Sequence, residues 1–240
     1  TLFRSTRAQF ESFAANGWDG HKMTIYWMLN SHWPSFFGNI FDYYLKPGGA
    51  YYGAKKGLRP VSVVFDSYAT GNHQQGRVSV VNQSPETKSD LRVRVRTYDL
   101  SGRVRDVRTA DSVEVPSGGA VQALTIPPGP ADSPVFFVRA EVLDSAGAVI
   151  TENVYWQSRA IDDVGPAAND SAFDSKQISW ANMTALGGMP KVALDVSAVP
   201  GGDGGRDVGE RGVRPRKEES PRSVAVGAFS WAAHAVAAAL

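Results

Sequence analysis

The chain has 240 residues, 42% of them apolar and 20% charged, an ordinary globular balance with length for one large domain or two small ones. A formal net charge of +1 excludes the strong basic excess of a dedicated nucleic-acid binder. Cysteine is absent, which excludes disulfides and cysteine-held metal but leaves the compartment open.

The opening residues, Thr1-Leu2-Phe3-Arg4, read as the interior of a longer sequence, and no basic region followed by an apolar one marks a signal peptide. Phe3, Phe10, Phe13 and Ala14 fall on one helical face, and Asn16-Gly17 is a helix stop. Met23 to Leu29 is a continuous apolar run of strand length, the pattern of a parallel strand buried on both faces. Phe36 to Leu45 follows as a second aromatic-rich helical stretch. Helix, buried strand and helix make one α/β unit over residues 1–57. One such unit cannot cover its own sheet, so this zone calls for partner strands outside the chain.

Residues 58–158 change to a period of two. Val61 to Phe65 and Arg77 to Val81 are short strand candidates. Leu91, Val93 and Val95 alternate with Arg92, Arg94 and Arg96, as in a strand with one wet face. Asp99-Leu100-Ser101-Gly102 and Asp144-Ser145-Ala146-Gly147 are hairpin turns of shared chemistry, each joining two alternating runs. Six or seven short strands in about a hundred residues predict an immunoglobulin-like antiparallel β-sandwich, without the cysteine pair of antibody domains. The fold class is therefore mainly β.

Residues 159–199 read as a linker and a fresh strand pattern through Ile178, Trp180, Val192, Leu194 and Val196. Residues 200–240 differ in character. Gly201 to Gly205 is flexible, and Arg206 to Arg222 is charged without apolar spacing, which predicts disorder. Val224 to Leu240 follows a basic stretch like a tail anchor. It is too short, too alanine-rich and interrupted by His234, so membrane insertion is not expected.

Long stretches of this sequence resemble glycoside hydrolase family 2. They are Ile25-Tyr26-Trp27-Met28-Leu29-Asn30, Trp33-Pro34-Ser35, Phe41-Asp42 and Gly49-Ala50-Tyr51-Tyr52-Gly53-Ala54-Lys55-Lys56. The likeness is to the exo-β-D-glucosaminidase branch, which acts on chitosan, with the endo-β-mannosidases nearby. Asn153-Val154-Tyr155-Trp156 resembles the end of the sandwich that follows the barrel there. Met183 to Leu186, Pro190-Lys191-Val192 and Asp195 resemble the opening of a further β-domain. The likeness spans residues 1–199, and the tail after Pro200 departs from it. It implies that Met23 to Leu29 is the last strand of a (β/α)8 barrel and that residues 36–56 are its closing helical segment.

A retaining glycosidase needs two carboxylates about 5–5.5 Å apart at the barrel's C-terminal face. The barrel segment offers only Glu11, Asp19 and Asp42, in a helix, a loop and a helix, so no catalytic residue is assigned. The resemblance likewise implies that the catalytic glutamates lie on earlier strands, outside this chain. Substrate contact falls to Trp27, whose indole face suits a pyranose ring, and to Asn30, whose amide can bridge two hydroxyls. Alternation lets only one of Tyr26 and Trp27 face the barrel interior, and Trp27 could instead be barrel core. Trp33 is expected to pack the loop against the sandwich, and Tyr155 and Trp156 to serve as core and interdomain contact. The arginine stripe of 92, 94 and 96 reads as a solvated face. His21, His32, His73 and His234 lack ligand spacing, and Gly201 to Gly205 is no phosphate loop, so neither metal nor cofactor is expected. The expected partners are a chitosan oligosaccharide or β-mannoside, bound by a secreted parent enzyme, and the missing barrel strands. The competing readings are a non-catalytic β-sandwich module that binds carbohydrate or protein, and a structural protein with a membrane tail.

Overall fold

The computed structural model describes residues 2–16, 23–35, 38–66, 76–160, 162–164, 177–189, 196–200 and 206–210. The period-two segments form seven antiparallel strands: β1 (Val61–Asp66), β2 (Arg77–Asn82), β3 (Lys88–Tyr98), β4 (Val104–Val115), β5 (Gly119–Thr125), β6 (Val135–Leu143) and β7 (Val149–Ser158). They make a three-stranded sheet, β1-β2-β5, and a four-stranded sheet, β4-β3-β6-β7. The expected antiparallel sandwich is therefore present. Val63, Val78 and Val80 of one sheet meet Val93, Val95, Val138, Ala140 and Val142 of the other in a common core. Burial of each such valine contributes about 1.5–3 kcal/mol. In β3 the alternation holds residue by residue, with Leu91, Val93 and Val95 inward and the three arginines outward.

The two Asp-x-x-Gly turns share one geometry. Gly102 N donates to Asp99 O at 3.0 Å and Gly147 N to Asp144 O at 3.0 Å. The aspartate Oδ1 then accepts from the amide four residues on, Arg103 at 3.1 Å and Ala148 at 2.8 Å. Both glycines sit at positive φ, 80° and 84°, where a side chain would be strained. Burial alone pushes the Asp99 carboxyl up, but hydrogen bonds from Ser101, Arg105 and Arg103 outweigh it. They hold the group well below the usual carboxylate range.

One end of the four-stranded sheet's outer face is apolar. Tyr98, Phe137 and Trp156 are covered there by Met183, Leu186 and Met189, around a 3-10 turn at Thr184–Gly188. The stretch that resembles the start of another domain thus lies on the sandwich. Two short pairings follow the sandwich: β8 (Asp163–Val164) with β9 (Gln177–Ser179), and β10 (Val196–Pro200) with β11 (Arg206–Glu210). The second corrects the expectation of disorder for residues 206–210. Backbone hydrogen bonding to a neighbouring strand does not require an apolar composition. Ile178 and Trp180, expected in a strand pattern, are mostly exposed. Val192, Leu194, residues 201–205 and residues 211–240 lie outside the described residues.

The N-terminal zone holds two helices, α1 (Leu2–Ala15) and α2 (Gly49–Gly57). The α1 face that is buried carries Thr6, Arg7, Phe10, Glu11 and Ala14. Ala14 packs on Val64 and Val81 of the three-stranded sheet. The helix expected over Phe36 to Leu45 is not formed among its described residues. Residues 41–47 make a tight turn closed by a Phe41–Pro47 bridge, and helix begins at Gly49. Pro47 has no amide to donate and disfavours helical backbone at Lys46, which explains the shift. Met23 to Leu29, expected as a buried strand, joins no sheet. Its neighbours are Ile40 and Phe41, whose amides donate to Met28 O at 3.4 Å and Leu29 O at 2.8 Å. A parallel strand is buried only between neighbouring strands, and the described residues of this zone supply none.

Helices α1 and α2 touch through glycine. A Cβ at Gly53 would overlap the Phe3 carbonyl and stand 3.1 Å from Arg7 N, and one at Gly57 would lie 2.9 Å from Phe10 Cβ. Gly53→Ala should therefore lower stability by about 1–3 kcal/mol in urea titrations, although alanine favours helix by about 0.5–1 kcal/mol. A net gain would show that the helices can separate without cost.

Candidate functional site

The parity of the 23–29 segment is set by α1. Tyr26 stacks on Phe10, ring centroids 6.2 Å apart, and its hydroxyl lies 3.2 Å from Thr6 Oγ1 and donates to Gly38 O. With Tyr26 turned to the helix, Met23, Ile25, Trp27 and Leu29 face away, each 62–77% exposed. Of the two aromatics, Trp27 is the one that presents its indole to the open side. The Trp27–Met28 peptide is cis.

Asn30 is half-buried, and its amide donates weakly to Ser31 O at 3.5 Å. The loop around it is held by Ser31, whose hydroxyl accepts from Asn39 and lies 3.0 Å from Ser35 Oγ. Trp33 does not pack on the sandwich as expected. It is 55% exposed and meets His32, ring centroids 3.6 Å apart. A residue in an open loop packs only where a second surface is present.

The junction between helices and sandwich is built on the free edge of β7. The carbonyls of Glu152, Val154 and Trp156 accept from Lys56 Nζ at 2.6 Å, Arg7 Nη1 at 3.3 Å and Arg4 Nη2 at 3.4 Å. The Arg4 guanidinium also lies over the Trp156 ring at 3.6 Å, and that of Arg7 over the Tyr155 ring at 4.5 Å. Cations over desolvated aromatic faces add roughly 1–2 kcal/mol each.

Glu11 is the hub of this junction. It pairs with Arg7 at 3.3 Å and accepts from Asn153 Nδ2 at 2.9 Å and the Tyr155 hydroxyl at 3.0 Å. Asn153 Nδ2 also donates to Val63 O in β1 at 2.6 Å, so one cluster ties α1, β1 and β7. Burial pushes the Glu11 carboxyl up, opposed by Arg7, Tyr155, Lys56 and Asn153. Burial, with Arg59 and Arg7 nearby, lowers Lys56 to about 8, opposed by Glu152 and Glu11. Burial and then Glu11 push the Tyr155 phenol up, which keeps it a donor. With a donor on each oxygen, an ion pair to Arg7 and almost no exposure, Glu11 is a structural carboxylate. Asn153-Val154-Tyr155-Trp156 is the strand it grips, in line with the interdomain contact expected of Tyr155 and Trp156.

The arginine stripe is more than a solvated face. Glu141, 2% exposed, pairs with Arg94 at 2.8 Å, Arg139 at 3.3 Å and Arg96 at 3.4 Å. Arg139 also reaches Glu152 at 2.7 Å. Strand pairing puts Glu141 directly opposite Arg94, a relation that spacing along β3 cannot reveal. Among the described residues, no three histidines or carboxylates stand close enough together to hold a metal ion.

Two antiparallel sheets with helices docked on one edge define an immunoglobulin-like module. Residues 74–160 match the Mannosidase Ig/CBM-like domain family. Over 201 residues the chain is 34% identical to an exo-β-D-glucosaminidase of Streptomyces avermitilis, covering 82% of this chain and 22% of that protein. It is 31% identical over 208 residues to an exo-β-D-glucosaminidase of Amycolatopsis orientalis, covering 84% and 20%. The crystal structure of the Amycolatopsis orientalis exo-chitosanase CsxA superposes with a TM-score of 0.73 at 30% identity, over 85% of this chain and 24% of that one. The chain is thus a homologue of exo-β-D-glucosaminidases over most of its length, and it carries a Mannosidase Ig/CBM-like domain of the kind associated with glycoside hydrolase family 2. It spans about a fifth of the length of the curated relatives it matches.

The junction has a pH signature. Lys56 binds its proton less tightly when folded, so stability should rise as pH climbs from 8 towards 10.5, by roughly 1–3 kcal/mol. Glu11 acts in the opposite sense in acid. Its contribution is full below the ordinary carboxylate range and declines as pH rises through its raised folded value. Melts at pH 7.5 and 9.5 should show a rise for the native chain that Lys56→Met flattens. An equal rise in both would move the effect elsewhere.

Proposed function

We propose that this chain is the part of a retaining glycoside hydrolase that closes the catalytic barrel and braces it. The parent acts on β-linked amino sugars of the chitosan type, or on β-mannosides. A polymeric substrate of that kind favours a parent that works outside the cell. The observation that carries the reading is the 23–29 segment. Its even face is locked to α1 through Tyr26, while its odd face, with Trp27, is bare and apolar. A strand so divided fits a barrel wall, with helices outside and substrate inside.

In this reading Trp27 stacks on the pyranose at the cleavage site and Asn30 binds a hydroxyl at the strand's end. Both position substrate, and the proton-transferring and nucleophilic carboxylates come from the rest of the parent. The described carboxylates of residues 2–57 support this division. Asp42 Oδ1 accepts from Lys46 N at 2.8 Å, and Glu11 is sealed in the junction. The sandwich fixes the strand indirectly, because the helix that orients Tyr26 is the one clamped to β7.

The test is a fusion in which the matching fifth of the Streptomyces avermitilis relative is replaced by this chain. The fusion should hydrolyse a β-D-glucosaminide that the 240-residue chain alone leaves intact. Trp27→Ala in the fusion should lower kcat/KM by about ten- to a hundredfold, the loss of roughly 1.4–2.7 kcal/mol of transition-state binding. Unchanged kinetics would make Trp27 plain barrel packing. Hydrolysis by the isolated chain would refute the division of labour.

A further inference from the structure

Among the described residues the same five-residue turn occurs three times, and the fourth residue of one copy is not glycine. In the Asp99 and Asp144 turns the first amide donates to the fifth carbonyl at 3.1 and 2.9 Å. The fourth amide donates to the first carbonyl, and the aspartate Oδ1 accepts from the fifth amide. Asp42 to Lys46 repeats all three bonds: Asp42 N to Lys46 O at 3.0 Å, Leu45 N to Asp42 O at 3.0 Å, and Lys46 N to Asp42 Oδ1 at 2.8 Å. The fourth residue is in the left-handed region in every copy, with φ of 80° at Gly102, 84° at Gly147 and 59° at Leu45.

Glycine takes this backbone without strain and leucine does not. In the third copy the turn carries that strain and gains nothing inside this chain, because Leu45 is 66% exposed. Its neighbours at the tip are exposed as well. Tyr44 is 67% exposed, Tyr43 is 44% exposed, and their rings meet edge to face at 5.1 Å. A strained backbone that holds a leucine and two tyrosines into solvent is the form of an interaction element. Its position is also fixed. Ile40 and Phe41 are bonded through their amides to Met28 O and Leu29 O, so the turn starts beside the C-terminal end of the 23–29 segment.

We propose that Tyr43, Tyr44 and Leu45 form a docking knuckle for an apolar protein surface. That surface belongs to the portion of the catalytic chain that the relatives carry beyond the fifth matched here. This proposal rests on the barrel reading above. An apolar knob suits a protein pocket better than a sugar, because a sugar platform needs one open aromatic face. The perpendicular pair Tyr43–Tyr44 crowned by leucine presents edges and a branched aliphatic tip.

Hydroxyl-radical footprinting of the isolated chain and of the fusion tests this directly. Tyr43 and Tyr44 should react readily in the isolated chain and several-fold more slowly in the fusion. Leu45→Gly supplies a second reading with opposite signs. It relieves strain, so it should raise the unfolding midpoint of the isolated chain, and it removes the knob, so it should lower the midpoint of the fusion. Tyrosines that react equally in both proteins overturn the proposal, as does a Leu45→Gly that stabilises both. An active fusion with reactive tyrosines would sink the knuckle alone. Protected tyrosines in an inactive fusion would sink the functional reading alone.

Discussion

The open edge of β7 is the constraint on which the rest of the arrangement depends. An edge strand exposes carbonyls at every second residue, and these either meet water or invite another strand. Here Glu152, Val154 and Trp156 offer theirs to Lys56, Arg7 and Arg4, so two helices close the edge with charged donors. Bonds from charged donors contribute about 1.5–3 kcal/mol each when well formed. The arrangement needs α2 close enough for Lys56 to reach. That closeness comes from Gly53 and Gly57, where any side chain would collide with α1.

Gathering three cations at one edge creates a problem that Glu11 answers. Arg7 and Lys56 are partly desolvated and repel each other, which is one reason Lys56 holds its proton loosely. A buried carboxylate between them is tolerable only if its own oxygens are satisfied. Arg7, Asn153 and Tyr155 satisfy them. From this cluster a short path leads to the candidate site: α1 is fixed to the sandwich, Thr6 and Phe10 of α1 fix Tyr26, and Tyr26 decides which way Trp27 points. The sandwich lies far from Trp27 in sequence and still sets its orientation.

The sandwich was legible in the sequence because its signals are local. Leu91, Val93 and Val95 against Arg92, Arg94 and Arg96 give period and face together, and Asp99 to Gly102 and Asp144 to Gly147 mark their own turns. What could not be read depends on partners remote in the chain. Glu11 looks like an ordinary helix carboxylate until Asn153 and Tyr155 arrive from more than 140 residues away. Glu141 meets the arginines only once β3 and β6 are in register. Phe36 to Leu45 misled for a different reason. Its apolar spacing suits a helix, but Pro47 and the Asp42 side chain favour a turn, and those local terms outweigh a pattern with no surface to pack on. The run from Met23 to Leu29 reads in sequence as a strand buried on both faces, but among the described residues it joins no sheet and its odd face is exposed.

The division of labour at the junction also bears on specificity. Bonds to backbone carbonyls do not discriminate between residues, and a strand displaced by two positions would present the same row of acceptors. Arg4, Arg7 and Lys56 alone would therefore bind β7 in more than one register. Glu11 removes that freedom. Shifted by two residues, it would face Thr151 with Asn153 or Tyr155 with Gln157, and would lose one of the two donors it has now. That loss costs about 1–3 kcal/mol for a neutral group and more for a charge. The backbone contacts supply affinity, and the one buried acid supplies register, the role best attested for buried ionic groups elsewhere. Because Trp27 inherits its direction from α1, a two-residue slip at β7 would be carried through Tyr26 to the direction of its indole.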